Sequence, residues 1–270
     1  MTVKTPSRLA AVFARCATES RSALITYVMA GDPDPAGSAE LARACIAGGA
    51  DIVELGIPFS DPLADGPVIQ AAGERALVSG TRLAQVLGIA GSLRRGTETP
   101  IVLMGYLNPI LAMGEEAFFA ACELRGVDAV IIPDLLPEAA GVVAGEARRH
   151  GVGLVFLVAT GTSPARRRRA AKAATAFVYL TAVDGVTGVR QELPATLAAD
   201  LAVLRSESPV PVVVGFGISR PEHVAALNGR ADGIVVGSAI VAVVAEETDD
   251  SRRVEAVRTL VQALRGAMVT

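Results

Sequence analysis

The chain has 270 residues, of which 51 % are hydrophobic and 20 % charged, and its formal net charge is −3. A net charge this small argues against a nucleic acid or a membrane surface as partner. No uninterrupted apolar stretch approaches the roughly 20 residues of a membrane-spanning helix. Three isolated cysteines without metal-ligand spacing, and an N-terminal segment without an apolar signal region, predict a cytoplasmic protein with reduced thiols.

Lysine and histidine, which serve many enzymes as catalytic groups, are both rare. The lysines are Lys4 and Lys172, and the histidines are His150 and His223. Neither lysine falls at the end of a predicted strand, and two scattered histidines cannot form a histidine cluster around a metal. We therefore predict no metal and no cofactor in this chain, which leaves carboxylates as the main candidates for proton transfer.

Eight short apolar strands, each followed by helix, are predicted along the chain. The strands are expected at 24–29, 51–55, 101–104, 128–132, 153–158, 176–180, 211–214 and 233–236. Helices are expected at 7–18, 67–79, 81–95, 137–150, 164–174, 194–205, 220–228, 239–245 and 251–267. Two further helices are expected, one that includes 41–45 and stops at 48–49, and one that includes 118–122. Residues 105–109 are expected to form the exit loop of the third strand. No linker divides the series, so residues 1–270 are predicted to form a single-domain (β/α)8 TIM barrel with extra helices. A doubly wound open sheet is the alternative, which the count of eight and the lack of a Gly-x-Gly-x-x-Gly turn disfavour.

One carboxylate interrupts the second predicted strand. Glu54 lies in the apolar run 52–55, which is typical of a parallel strand covered on both faces. Burial disfavours the charged form of a carboxylate, which suits a group that carries a proton near neutral pH. Asp61 and Asp65 lie on the following loop, where we expect better solvation and ionised carboxylates, so the set has the pattern of an acid/base pair. The structural alternatives are a buried hydrogen-bonded Glu54, an Asp-Pro turn at Asp61 and a helix entrance at Asp65.

The residues at the carboxyl ends of barrel strands share one mouth. We therefore expect a common site that includes Glu54, Tyr106, Asp134, Tyr179, Gly217 and Gly237.

Glycines follow the last two predicted strands. The motifs are Gly215-Phe216-Gly217 and Gly237-Ser238. Barrels frequently bind phosphate at these two loops, because glycine permits close backbone approach and helix-end N–H groups favour an anion. The sequence predicts a phosphate site here, with Ser238 as a hydroxyl donor or helix cap and Gly188 as a further contact. Two tight turns with a capping serine are the alternative.

Taken together, these motifs resemble the tryptophan synthase alpha chain family. The stretch Glu54-Leu55-Gly56-Ile57-Pro58-Phe59-Ser60-Asp61-Pro62-Leu63-Ala64-Asp65-Gly66-Pro67 is similar to the signature of that family. The supporting matches run in chain order: Gly31-Asp32-Pro33, Tyr106 with Asn108-Pro109, Pro133-Asp134-Leu135, Gly185-Val186-Thr187-Gly188, 215–219 and 237–241.

The resemblance implies a barrel enzyme that cleaves indole-3-glycerol phosphate to indole and glyceraldehyde 3-phosphate. It also implies a partner, the β chain, which in the family uses pyridoxal phosphate to join indole to serine. By position, Glu54 matches the acid/base glutamate, Asp65 the catalytic aspartate and Tyr179 the tyrosine near them. The phosphate contacts of the family match Gly188, Gly217, Gly237 and Ser238, and its indole pocket matches Tyr27, Met104 and Phe216. We also expect Tyr106 and Thr187 to contact the substrate.

The sequence departs from the family pattern in places that bear on loop closure and on communication with the β chain. Met29 replaces a threonine, and Ala182-Val183-Asp184 replaces a Ser-Arg type pair. Other functions therefore stay open: a stand-alone lyase that releases free indole, or a non-catalytic activator of a β chain, against which the intact Glu54 and Asp65 argue. A different phosphosugar barrel enzyme, such as an isomerase, is a further alternative that the long signature disfavours.

Overall fold

Eight parallel strands form a closed barrel in the computed structural model, which describes residues 7–181, 197–215 and 217–268. The strands are β1 (Ala23–Met29), β2 (Ile52–Gly56), β3 (Ile101–Met104), β4 (Ala129–Ile131), β5 (Gly153–Ala159), β6 (Val178–Thr181), β7 (Val212–Gly215) and β8 (Gly233–Val236). Each strand pairs with its neighbours in chain order, and β1 pairs with β8 to close the ring. The predicted barrel is confirmed, and the open-sheet alternative is wrong.

Helices connect the strands and surround the barrel. The described helices are α1 (Arg8–Thr18), α2 (Pro35–Ala47), α3 (Pro67–Val78), α4 (Leu83–Arg94), α5 (Leu107–Met113), α6 (Glu115–Arg125), α7 (Gly141–Arg149), α8 (Pro164–Ala173), α9 (Leu197–Glu207), α10 (Pro221–Leu227), α11 (Ser238–Glu246) and α12 (Asp250–Gly266). In the described part of the chain, no single helix is long and apolar enough to cross a membrane; only α3 and α4 together, bent by 98°, pass by length and composition.

Two element predictions need correction. Only residues 105 and 106 of the predicted exit loop 105–109 are loop. Leu107 begins α5, because the Asp134 carboxylate accepts a hydrogen bond from the Leu107 N–H (3.0 Å) and fixes the first turn. Pro109 fits this turn, where its missing N–H is not needed. The helix predicted from residue 137 begins only at Gly141, after a turn in which the Ala139 N–H bonds to the Leu136 carbonyl.

Strand alternation separates two apolar layers. Inward side chains such as Ile25, Ile52, Val102, Phe177 and Val213 fill the barrel, while their sequence neighbours pack outward beneath the helices.

Helix α1 closes the amino-terminal end of the barrel. Phe13 packs edge-on against Phe177, with ring centroids 6.0 Å apart. The ion pair Arg15–Asp51 (2.6 Å) ties the same helix to the residue that precedes β2. The carboxyl-terminal end remains as the mouth where a site can form.

Candidate active site

Glu54 faces the inside of the barrel near its mouth. Ile52 points inward and Val53 and Leu55 point outward, so alternation directs the Glu54 side chain into the barrel. The residue is 1 % exposed, and its Oε2 has no hydrogen-bond partner among the described residues. Burial, with a smaller contribution from the charge of Asp65, raises the pKa of Glu54 to about 8. Glu54 is therefore mostly protonated at neutral pH and can act as an acid.

Asp65 lies on the loop 57–66 that follows β2, and it is half-buried. Burial raises the pKa of Asp65 to about 6, although a hydrogen bond from the Tyr106 hydroxyl works in the opposite direction. The expectation that Asp65 is well solvated is wrong in degree, because Tyr106 and the loop cover it. Asp61 is exposed, and its carboxylate accepts a hydrogen bond from the Ser60 hydroxyl. The pKa of Glu54 is nevertheless higher than that of Asp65, as predicted.

All three tyrosines of the sequence lie at this end of the barrel. Tyr27 stands beside Glu54 in the β1–β2 register, Tyr179 points inward from β6, and Tyr106 follows β3. Burial raises the pKa of each phenol well above its ordinary value, and the charge of Glu54 adds to this effect at Tyr27 and Tyr179. These hydroxyls are therefore hydrogen-bonding groups and not bases.

Two glycines make room for two of these tyrosines. A Cβ at Gly56 would lie 2.0 Å from the Tyr27 hydroxyl oxygen, and one at Gly215 would lie 2.0 Å from that of Tyr179. Gly215 was predicted to belong to the phosphate loop, and no role was predicted for Gly56. The available signal was spacing, since Gly56 stands two residues after Glu54 and thus on the same inward face.

The apolar side of the site includes Tyr27 and Met104, which belong to one buried cluster. Met29 joins this cluster with Ile69 and Ala72 of α3, and its sulfur lies 3.9 Å from the Tyr27 hydroxyl. The departure at Met29 therefore places a thioether, a weak acceptor, where the family carries a threonine. Phe216, also predicted for the indole pocket, lies outside the described residues.

The glycine-rich end of the site is formed by the residues after β7 and β8. Gly217 has a φ of +54°, which favours glycine, and Gly237 is the residue before α11. Ser238 is the first residue of α11 and not its cap, so the first-turn N–H groups and this hydroxyl share one helix end. The predicted contacts Thr187 and Gly188 lie outside the described residues.

Asp134 lies after β4 and is bound to the start of α5, next to Tyr106. Its carboxylate is exposed and accepts the Leu107 N–H, so it fixes the start of α5. In the ranges that the structure describes, no group of three or more His, Cys, Asp or Glu could hold a metal ion.

Comparison with known proteins gives a consistent result. A family model described as "Tryptophan synthase alpha chain" matches residues 13–268. The tryptophan synthase alpha chain of Geobacter sulfurreducens is 47 % identical, over 97 % of this chain and 99 % of its own length. The tryptophan synthase alpha chain of Halorhodospira halophila is 44 % identical, over 97 % of this chain and 96 % of its own length.

Solved structures agree in fold and in length. A structure of Mycobacterium tuberculosis tryptophan synthase is 33 % identical, covers 98 % of this chain and 100 % of its own, and has a TM-score of 0.91. The tryptophan synthase subunit alpha of Legionella pneumophila is 34 % identical, covers 98 % and 99 %, and has a TM-score of 0.88. The chain therefore belongs to the tryptophan synthase alpha chain family.

Proposed function

We propose that this chain cleaves indole-3-glycerol phosphate with Glu54 as the proton-transfer group and Asp65 as the carboxylate that stabilises positive charge. The lyase reaction is that of the family to which the chain belongs. The observation that carries the assignment of roles is Glu54, which is 1 % exposed, has an unpartnered Oε2 among the described residues and has a pKa of about 8.

The chemistry follows from the two carboxyl groups. Protonated Glu54 delivers its proton to C3 of the indole ring, and the ring then carries a positive charge shared with its nitrogen. The Asp65 carboxylate accepts a hydrogen bond from the ring N–H and stabilises this charge. Glu54, now a carboxylate, removes the proton from the hydroxyl next to the ring. The carbon–carbon bond breaks, its electrons return to the ring, and Glu54 regains its proton as indole and glyceraldehyde 3-phosphate form.

Catalysis by this pair predicts a bell-shaped pH profile. Activity requires ionised Asp65, so it rises as the pH passes about 6, and it requires protonated Glu54, so it falls as the pH passes about 8. The measurement is kcat/KM for indole release between about pH 5 and about pH 9.5. In the variant Asp65→Asn the acidic limb should disappear with most of the activity. An unchanged acidic limb in that variant would contradict the assignment of Asp65.

The phosphate group of the substrate is proposed to bind at the glycine-rich end. Gly217, Gly237 and Ser238 supply backbone N–H groups, the N-terminus of α11 and a hydroxyl donor, which together favour an anion. Thr187 and Gly188 complete the proposed set of contacts. Tyr27 and Met104, with Phe216, are proposed to line the pocket for the indole ring.

A β chain is the proposed partner, and the mouth of the barrel is the proposed docking face. Large exposed apolar side chains occur on three segments that follow strand ends: Leu63 after β2 (94 % exposed), Leu111 and Met113 on α5, and Leu136 after β4 (57 % exposed). Contiguous exposed apolar patches mark interaction sites, and these side chains are proposed to contribute to one such patch at the mouth. The loop 57–66 carries Asp65, so docking here would order a catalytic group and exclude water.

The β chain is therefore expected to activate this chain. Turnover at saturating substrate should be slow in isolation and rise by roughly tenfold or more with the β chain of the same source, because the loops then hold Asp65 in line. The variant Leu136→Asp should weaken this stimulation. Leu124→Asp is the matched control, since Leu124 is 80 % exposed but lies on the outer helix α6. Full activity without a β chain, unchanged on its addition, would favour a stand-alone lyase that releases free indole.

A further inference from the structure

Tyr106 is held firmly at the junction of β3 and α5. The residue is 5 % exposed and directly precedes α5. The next backbone N–H, that of Leu107, donates to the Asp134 carboxylate. The ring packs on Phe59 of the loop 57–66, with centroids 5.3 Å apart and planes 30° apart. Both the backbone and the ring of Tyr106 therefore have a fixed place.

The Tyr106 hydroxyl contacts two consecutive residues of that loop. It accepts a hydrogen bond from the Ala64 N–H (2.9 Å). It also lies close enough to the Asp65 carboxylate to lower the pKa of that carboxylate by hydrogen bonding. A phenol has one proton to donate, and this proton is already used. A contact in which Tyr106 donates to the substrate would compete for this proton, so the arrangement fits a role toward the loop better than a role as a donor to the substrate.

We propose that Tyr106 is a positioning residue that holds Asp65, and the loop that carries it, at the mouth of the barrel. This inference rests on the proposed function, in which Asp65 is the charge-stabilising carboxylate. It assigns Tyr106 a different role from the substrate contact that the sequence suggested. The Ala64 hydrogen bond and the packing on Phe59 tie this one side chain to the loop on either side, next to Asp65.

The titratable groups around Asp65 allow this role to be measured. Among the described residues, Glu54 on β2, Tyr27 on β1 and Tyr106 after β3 interact with Asp65. Burial raises the pKa of Asp65 and the Tyr106 hydrogen bond lowers it. Asp134, which also raises the pKa of Tyr106, is engaged by the Leu107 N–H. Loss of the Tyr106 hydroxyl should therefore raise the pKa of Asp65.

The test is Tyr106→Phe, which keeps the ring and the Phe59 stack. The acidic limb of the pH profile should move up by about one unit, the size expected for a hydrogen bond to a charged group. Turnover should fall by about tenfold because Asp65 is misplaced, while KM changes by less than about threefold. Tyr179→Phe is the matched control: it loses the same atom within the site, but its hydroxyl lies over Gly215, so the acidic limb should stay in place.

A second measurement does not depend on activity. The pKa of the Asp65 carboxyl group, followed by NMR in labelled protein, should rise in Tyr106→Phe and not in Tyr179→Phe. Both variants should have the melting temperature of the wild type, which shows that they are folded. An unshifted Asp65, or a variant that raises KM alone, would overturn the inference and restore a substrate contact. If the Asp65 titration shifts but the wild-type chain releases no indole, the proposed function fails and the positioning role stands.

Discussion

Glu54→Gln is expected to keep the fold but to lower indole release by about a hundredfold or more, since an amide can neither deliver nor accept the proton. The fold should tolerate the change, because burial raises the pKa of Glu54 to about 8 and the native side chain is mostly neutral at pH 7. The measurement is kcat for indole-3-glycerol phosphate, alongside the melting temperature and the affinity for the same substrate.

Asp61→Asn is the control for this prediction. Asp61 lies on the loop that directly follows the strand of Glu54, but its side chain is exposed and accepts a hydrogen bond from the Ser60 hydroxyl. In the isolated chain its turnover should stay close to that of wild type. Near-normal turnover of Glu54→Gln in the same assay would remove Glu54 from the mechanism.

Gly237→Asp is expected to lower the affinity for indole-3-glycerol phosphate by about a hundredfold, the effect of placing a like charge beside the phosphate. Gly237 directly precedes α11, so the new carboxylate would compete for the same first-turn N–H groups. The helix itself should remain, because aspartate is a favoured N-cap residue. Affinity for indole, which has no phosphate, should change little, and equilibrium binding of both ligands provides the measurement.

Gly237→Asn separates charge from size in this experiment. Asparagine is also a good N-cap and has nearly the same volume, so it should retain most of the affinity that aspartate loses. A Cβ at this position would lie 3.3 Å from the Tyr27 Cβ, which a small shift can accommodate. Equal losses for indole-3-glycerol phosphate and indole in the aspartate variant would indicate a distorted pocket instead of a lost phosphate site.

The barrel and much of its mouth could be predicted from the sequence because the relevant signals are local. Each buried strand is a short apolar run, and Glu54 stands out as the charged residue within one of them. Glycines after β7 and β8 likewise mark the glycine-rich end by spacing alone. The boundaries of most elements are correct to within a few residues for the same reason.

The errors came from contacts between distant parts of the chain. Residues 105–109 were predicted as a loop, yet Pro109 lies in the first turn of α5, which Asp134 fixes from the next βα unit. Asp65 was expected to be solvated, yet it is half-buried. Tyr106 covers it from the segment after β3 and lowers its pKa by hydrogen bonding. No role was predicted for Gly56, because glycine is needed there to leave room for the ring of Tyr27 on the neighbouring strand. Of these contacts, only that of Gly56 leaves a local signal, its spacing two residues after Glu54.

Indole release from indole-3-glycerol phosphate by the purified wild-type chain, with and without a metal chelator, tests the central claim most directly. Catalysis by Glu54 and Asp65 predicts indole and glyceraldehyde 3-phosphate in equal amounts, at a rate that the chelator does not change. No release of indole with or without a β chain, or release that the chelator abolishes, would contradict the account.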